Sequence, residues 1–138
     1  MSWGGVNFLS VIIAAIASMA LGAVWYGALA KPWMAAAGLT MDDIKGNTGK
    51  PKSSAAYPVA MLSKLVMAFC FARLLALVDA VSVSNGIALA LFLWIGFVIT
   101  SLSVGHRFQL RPWSLTLIDG GYWLAVLLVM GIVIGWIG

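Results

Sequence analysis

Three ionisable side chains, Lys64, Arg73 and Asp119, sit inside stretches that are otherwise almost free of charge. A charge near the centre of a lipid-buried helix costs ~2.5–3.5 kcal/mol, so such residues pair, snorkel or act. Lys64 lies about eight residues past Ala56, or ~12 Å along a helix, and Asp119 lies about six past Trp113, or ~9 Å. The two depths agree, so a Lys64–Asp119 ion pair across a helix bundle is expected. That pair would fix helix register or serve as a polar path for a proton or an ion. Arg73 follows Lys64 by about nine residues, which puts it on the opposite face of the same helix. It stands near the far end, where its stem can reach water or headgroups, with Asn7 and Asp79 as candidate partners.

Other chemistry finds little support. His106 is the sole histidine and is expected in a loop, so one chain cannot supply two axial ligands to a haem. A metal site needs clustered His, Cys or carboxylates, whereas Met61, Met67 and Cys70 read as gap-filling residues of one span. Cys70 is alone, which rules out an intrachain disulfide. The run Gly46-Asn47-Thr48-Gly49-Lys50 lacks the spacing of a phosphate loop, and Pro51 stands where Ser or Thr would bind magnesium. No serine, histidine and acid share a depth. The expectation is a protein without enzymatic activity, cofactor or metal.

The elements that must position these residues are four apolar stretches, at 6–29, 55–78, 86–104 and 114–137. Each exceeds the ~18 residues that mark a span, and ~20 residues at 1.5 Å rise cross a ~30 Å hydrocarbon core. Charged residues make up 9 % of the chain and mean hydropathy is +1.06, against roughly 25 % charged in soluble domains. The fold class is therefore all-α: a single four-helix transmembrane domain over residues 1–138. The net charge of +4 reads as orientation and lipid contact, not as a nucleic-acid footprint.

Lys31, Lys45, Lys50 and Lys52 fall between spans one and two, and His106, Arg107 and Arg111 between spans three and four. The positive-inside rule makes loops 30–54 and 105–113 cytoplasmic and puts both termini outside. Lys31, Lys50, Lys52, Arg107 and Arg111 are then the expected contacts to anionic headgroups. The first five residues carry no cation, so the first span is expected to stay as a helix and not to be cleaved as a signal. Trp3 and Tyr26 bracket span one, and Trp113 and Trp136 bracket span four, each pair ~34 Å apart along a helix. Trp25, Trp33 and Tyr57 would add to the inner aromatic belt. In the long loop, Thr40 followed by Asp42 and Asp43 reads as a capped helix start.

Lipid gives helices no hydrophobic reason to associate, so close packing relies on small residues. Span one carries Ser10, Ala14, Ser18 and Gly22 at steps of four, and span four ends with the GxxxG pair Gly131 and Gly135. The first stripe suits internal packing; the second suits either internal packing or a contact between copies.

Several segments resemble a known family. Asn7, the run Gly22-Ala23-Val24-Trp25-Tyr26-Gly27, the run Lys31-Pro32-Trp33-Met34 and Gly38-Leu39 are similar to domain of unknown function family 1761. So are Leu117-Ile118-Asp119-Gly120-Gly121-Tyr122 and the ending from Met130 to Trp136. The family consists of small bacterial four-helix membrane proteins without an established activity, and commonly has Asn where this chain has Asp119. The resemblance implies a multi-pass protein of the bacterial inner membrane. The functional expectation is a homo-oligomer or an accessory subunit of a larger membrane complex, and the alternative is a small transporter or channel using Lys64 and Asp119.

Overall fold

A computed structural model describes residues 2–3, 5–38, 56–78 and 81–138 of the chain, and the side chains of all these but Ser2, Trp3, Ala56 and Tyr57. The capped helix start at Thr40, Asp42 and Asp43, the cations Lys45, Lys50 and Lys52, the Gly46–Lys50 run, Asp79 and the rings of Trp3 and Tyr57 lie outside the described residues.

A two-residue pairing opens the fold, β1 (Ser2–Trp3) antiparallel to β2 (Val6–Asn7). Gly5 between them has φ +81°, and a Cβ there would stand 2.8 Å from Cβ of Ala76. Asn7 then caps α1 (Phe8–Ala28), its Oδ1 accepting from the Leu9 amide at 3.0 Å. The short α2 (Ala30–Ala37) takes Pro32 in its first turn, where a missing N–H costs nothing, and ends at Gly38 with φ +72°. Next come α3 (Ala56–Leu77), α4 (Val83–Phe108, which includes a π turn at Trp94–Val98) and α5 (Trp113–Ile137). Ser82 caps α4 by accepting from the Asn85 amide, and Pro112 leads into α5.

Four of these helices, all but α2, are long and apolar enough to cross a membrane. They run alternately up and down. Gly5 before α1 meets Ala76 at the end of α3, Ser10 lies near Gly138, and Gly86 of α4 meets Gly131 of α5. The centre is α1 against α5, while α3 flanks α1 and α4 flanks α5. Of the most apolar stretch of each helix, 39 % is buried in α5 but only 6 % in α4, which makes α4 an edge helix.

Small residues set the crossings. Ser10, Ala14 and Ser18 are fully buried, and Gly22 lies under the Tyr122 ring, so this stripe of α1 faces the fold interior and α5. Ser10 and Ser18 satisfy their hydroxyls on the carbonyls of Asn7 and Ala14. Gly131 packs backbone to backbone on Gly86, and Gly135 packs on the Ser82 carbonyl. In the structure the GxxxG pair therefore serves the α4–α5 crossing within one chain. Cys70, expected as core filler, is exposed on α3.

The third span reaches farther than the sequence suggests. Its helix continues to Phe108, not Val104, so His106 and Arg107 belong to a helix and not to a loop. Hydropathy falls at Gly105-His106-Arg107, but His106 is buried against α5, and that contact sustains the last turn.

Candidate functional site: a polar cluster where three helices meet

Thr116, Asp119 and Tyr122 follow one another at steps of three on α5, which places them along one helix face. That face looks toward the end of α1 and the end of α4. Tyr26 of α1 donates its hydroxyl to Oδ1 of Asp119 at 2.7 Å. From α4, His106 brings Nε2 to 3.7 Å from Oδ2 of Asp119 and Nδ1 to 2.7 Å from Oγ1 of Thr116. Arg107 donates through Nη2 to Thr116 Oγ1 at 2.9 Å and to the Arg111 carbonyl at 3.0 Å, and its guanidinium stacks 3.6 Å from the centroid of Trp113. Nη1 of Arg107 is buried with no hydrogen-bond partner among the described residues.

Two proton placements satisfy this geometry. With a neutral imidazole, the Thr116 hydroxyl donates to Nδ1 and the Nε2 hydrogen faces Asp119. With an imidazolium, both ring nitrogens donate, one to Thr116 and one toward Asp119. At 3.7 Å the second contact is an electrostatic attraction and not a hydrogen bond.

A pair of indoles locks the same level. Trp25 Nε1 donates to the Ile118 carbonyl at 3.1 Å, and Trp94 Nε1 donates to the Gly120 carbonyl at 2.7 Å. Gly120 and Gly121 leave room for them: a Cβ at Gly121 would press on the Trp25 ring, and one at Gly120 would meet Ile99 and Trp94. The π turn of α4 begins at Trp94, and the Thr100 and Ser101 hydroxyls bond back to the carbonyls of Gly96 and Phe97.

The ion pair expected between Lys64 and Asp119 is not what the structure holds. Lys64 is 4 % exposed, yet its ammonium faces rings, 4.9 Å from the centroid of Trp123 and 5.2 Å from that of Tyr122. Among the described residues the Asp119 carboxylate is occupied by Tyr26 and His106. Tyr122, which takes the Lys64 ammonium over its ring, packs on Tyr26 with centroids 5.0 Å apart, so cation and anion each have aromatic partners of their own. Cation–π attraction in a desolvated site is worth ~2 kcal/mol. This offsets only part of the ~2.5–3.5 kcal/mol that a lysine costs in a span.

The aromatic anchors divide. Trp113 and Trp136 are exposed, as residues at a lipid interface would be. Trp25 and Tyr26 instead turn inward to bond α5, the indole N–H donating to the Ile118 carbonyl and the phenol to Asp119. Trp33 lies edge-on to Tyr26 at 5.8 Å. In the expected outer cluster, Asn7 is a helix cap, Arg73 is half-buried on α3, and Asp79 lies outside the described residues.

His106, Thr116 and Tyr122 do not stand out in the sequence. Ending the third span at Val104 places His106 in a loop, and this also hides a hydroxyl, an imidazole and a carboxylate at one depth: Thr116, His106 and Asp119. The step of three from Thr116 to Asp119 to Tyr122 is the available signal. The order hydroxyl–imidazole–carboxylate is that of a nucleophile, a base and an orienting acid. Here, however, Thr116 is 2 % exposed and its oxygen is engaged by both His106 and Arg107, the setting of a structural hydroxyl. Among the described residues no group of three or more His, Cys, Asp or Glu could hold a metal ion.

A family described as "Protein of unknown function (DUF1761)" matches residues 9–135, and the chain belongs to that family. No curated protein and no solved structure matches the chain.

Proposed function

We propose that this member of the family is a non-enzymatic subunit of a membrane assembly, either a homo-oligomer or an accessory subunit of a larger complex. The observation that carries the reading is the edge position of α4, a span of 26 residues whose most apolar stretch is only 6 % buried. Its outer side is not uniformly greasy. Gly96 has open space beside it, and Thr100, one turn on along the same face, is exposed, so a further helix could approach closely there. The polar cluster then plays a structural role, tying α4 to α1 and α5 at one end and holding the docking face in place.

The protein would lie in the bacterial inner membrane with both termini outside. Lys31, Arg107 and Arg111 gather at one end of the helices, where positive charge favours the cytoplasm. Exposed Lys31 and Arg111, with Lys50 and Lys52, would meet anionic headgroups, while Arg107 is turned toward Trp113 and Thr116. Extraction in mild detergent followed by affinity capture and mass spectrometry tests the assembly. Stoichiometric recovery of a second copy or of one larger complex, reduced by Gly96→Trp, is the expected result. A monomer at all detergent concentrations would refute it.

One observation favours transport as a second reading. Lys64, Tyr122, Tyr26, Asp119 and His106 form an unbroken series from inside the fold toward its basic end. Proton flux into liposomes that is abolished by Asp119→Asn would favour this path, and flux equal to that of empty liposomes would remove it.

A further inference from the structure

We propose that His106 is a pH-sensitive switch at the end of α4: when its ring takes up a proton, the imidazolium displaces Arg107 from Thr116 and frees the guanidinium toward the basic end of the helices. An imidazole is the side chain whose ordinary titration falls between about pH 5 and 8. His106 is the sole histidine, lies buried in the last turn of α4, and meets a polar partner at each ring nitrogen.

With a neutral ring the hydrogen bonds run in one direction. Arg107 has only donors, so Thr116 Oγ1 accepts from its Nη2 at 2.9 Å. Of the two neutral tautomers, the one with its hydrogen on Nε2 fits. A bare Nε2 would set a lone pair against the Asp119 carboxylate, to which Tyr26 also donates. Nδ1 is then bare and takes the single hydroxyl hydrogen of Thr116 at 2.7 Å. The result is a chain that leads from a cation, through a hydroxyl and an imidazole, to an anion.

A second ring proton breaks that chain. Both ring nitrogens now donate, and the Thr116 hydroxyl must reverse to accept from Nδ1. One neutral oxygen would then receive two cations, at 2.7 and 2.9 Å, and like charges this close repel. His106 is the one that stays, because it is short-stemmed, buried and 3.7 Å from Oδ2 of Asp119. Arg107 is the one that leaves. No carboxylate among the described residues pairs with it, and its Nη1 is buried without an acceptor, a cost that hydration removes.

Among the described residues, the charged and titratable groups around His106 come from every neighbouring element. Asp119 faces it from α5, and Tyr26 of α1, packed on Tyr122, reaches the same carboxylate. Arg111 follows α4, its amide donating to the His106 carbonyl and its guanidinium lying by Gly38 at the end of α2. Lys31 of α2 is exposed, and Lys64 of α3 faces Tyr122 and Trp123. Asp119 is the single anion in this set, and the departure of Arg107 is what lets a new cation remain beside it. The switch belongs to one chain and does not depend on what docks against α4.

The test uses the full chain in nanodiscs with isotope-labelled arginine and histidine, followed by NMR from about pH 8 to about pH 5. Arg107→Lys identifies the carbon signal of the Arg107 guanidinium. That signal is expected to move with the His106 ring signals on one shared midpoint. His106→Gln should hold it at its alkaline position throughout. Thr116→Val removes the shared oxygen and keeps the shape, so it should bring the Arg107 signal near its acid position already at the alkaline end. It decides the matter alone if His106→Gln fails to fold. An Arg107 signal that stays fixed while His106 titrates, or a shift that persists in His106→Gln, would overturn the switch. So would a His106 ring that does not titrate over this range, or an Arg107 signal that Thr116→Val leaves unchanged.

Discussion

The Asp119 carboxylate accepts a hydrogen bond from Tyr26 and lies beside His106, so its neighbours, and not Lys64, decide what its removal does. Hydrogen bonds to charged groups contribute ~1.5–3 kcal/mol, and Tyr26→Phe should lower stability in detergent by about that amount. Part of that loss should vanish in an Asp119→Asn background, because the two residues touch. Lys64→Met and Asp119→Asn should instead add within ~0.5 kcal/mol, since the lysine rests on Tyr122 and Trp123 while the carboxylate is held by Tyr26 and His106. A coupling above ~1 kcal/mol between Lys64 and Asp119 would mean that they meet after all. The depth of each residue is legible through the 1.5 Å rise, and so is the need of both for partners. Helix rotation is not legible, and rotation decides that Tyr26 and His106 reach Asp119 first.

Between elements, the α4–α5 crossing depends on missing side chains. A Cβ on Gly86 or Gly131 would fall into the backbone of the other helix, so Gly131→Ala should destabilise by ~1–3 kcal/mol through forced separation. Gly96 has open space on the outer side, and Gly96→Ala should be neutral or stabilising by up to ~1 kcal/mol in the isolated chain. Thermal unfolding in one detergent compares the two directly; equal effects would contradict the crossing. The small-residue steps in spans one and four are legible from spacing alone. Which neighbour they meet is not, because Ser82, Gly86 and Ala90 of the third span form a stripe at steps of four as well, and spacing does not say which stripe pairs with which. The length of α4 is also hidden, since His106 and Arg107 lower hydropathy while being held by Thr116.

For the whole molecule, the order α3–α1–α5–α4 leaves α4 on an edge and brings Lys31, His106, Arg107 and Arg111 to one end. Four spans are plain from hydropathy, because lipid demands ~20 apolar residues and leaves nothing else to encode. Their lateral order is not legible, since every span is apolar on all sides. A labelling experiment on intact cells checks orientation, after Cys70→Ala removes the exposed native thiol. Ser82→Cys should react with an impermeant reagent, and Ser114→Cys should not. The assembly itself is tested most directly by cysteine crosslinking within native membranes in the same background. Gly96→Cys and Thr100→Cys should each give one discrete adduct, with a second copy or with a single partner, while Leu62→Cys on the exposed side of α3 should give none. No adduct from either α4 position, or equal adducts from all three, would contradict the edge of α4 as the docking face.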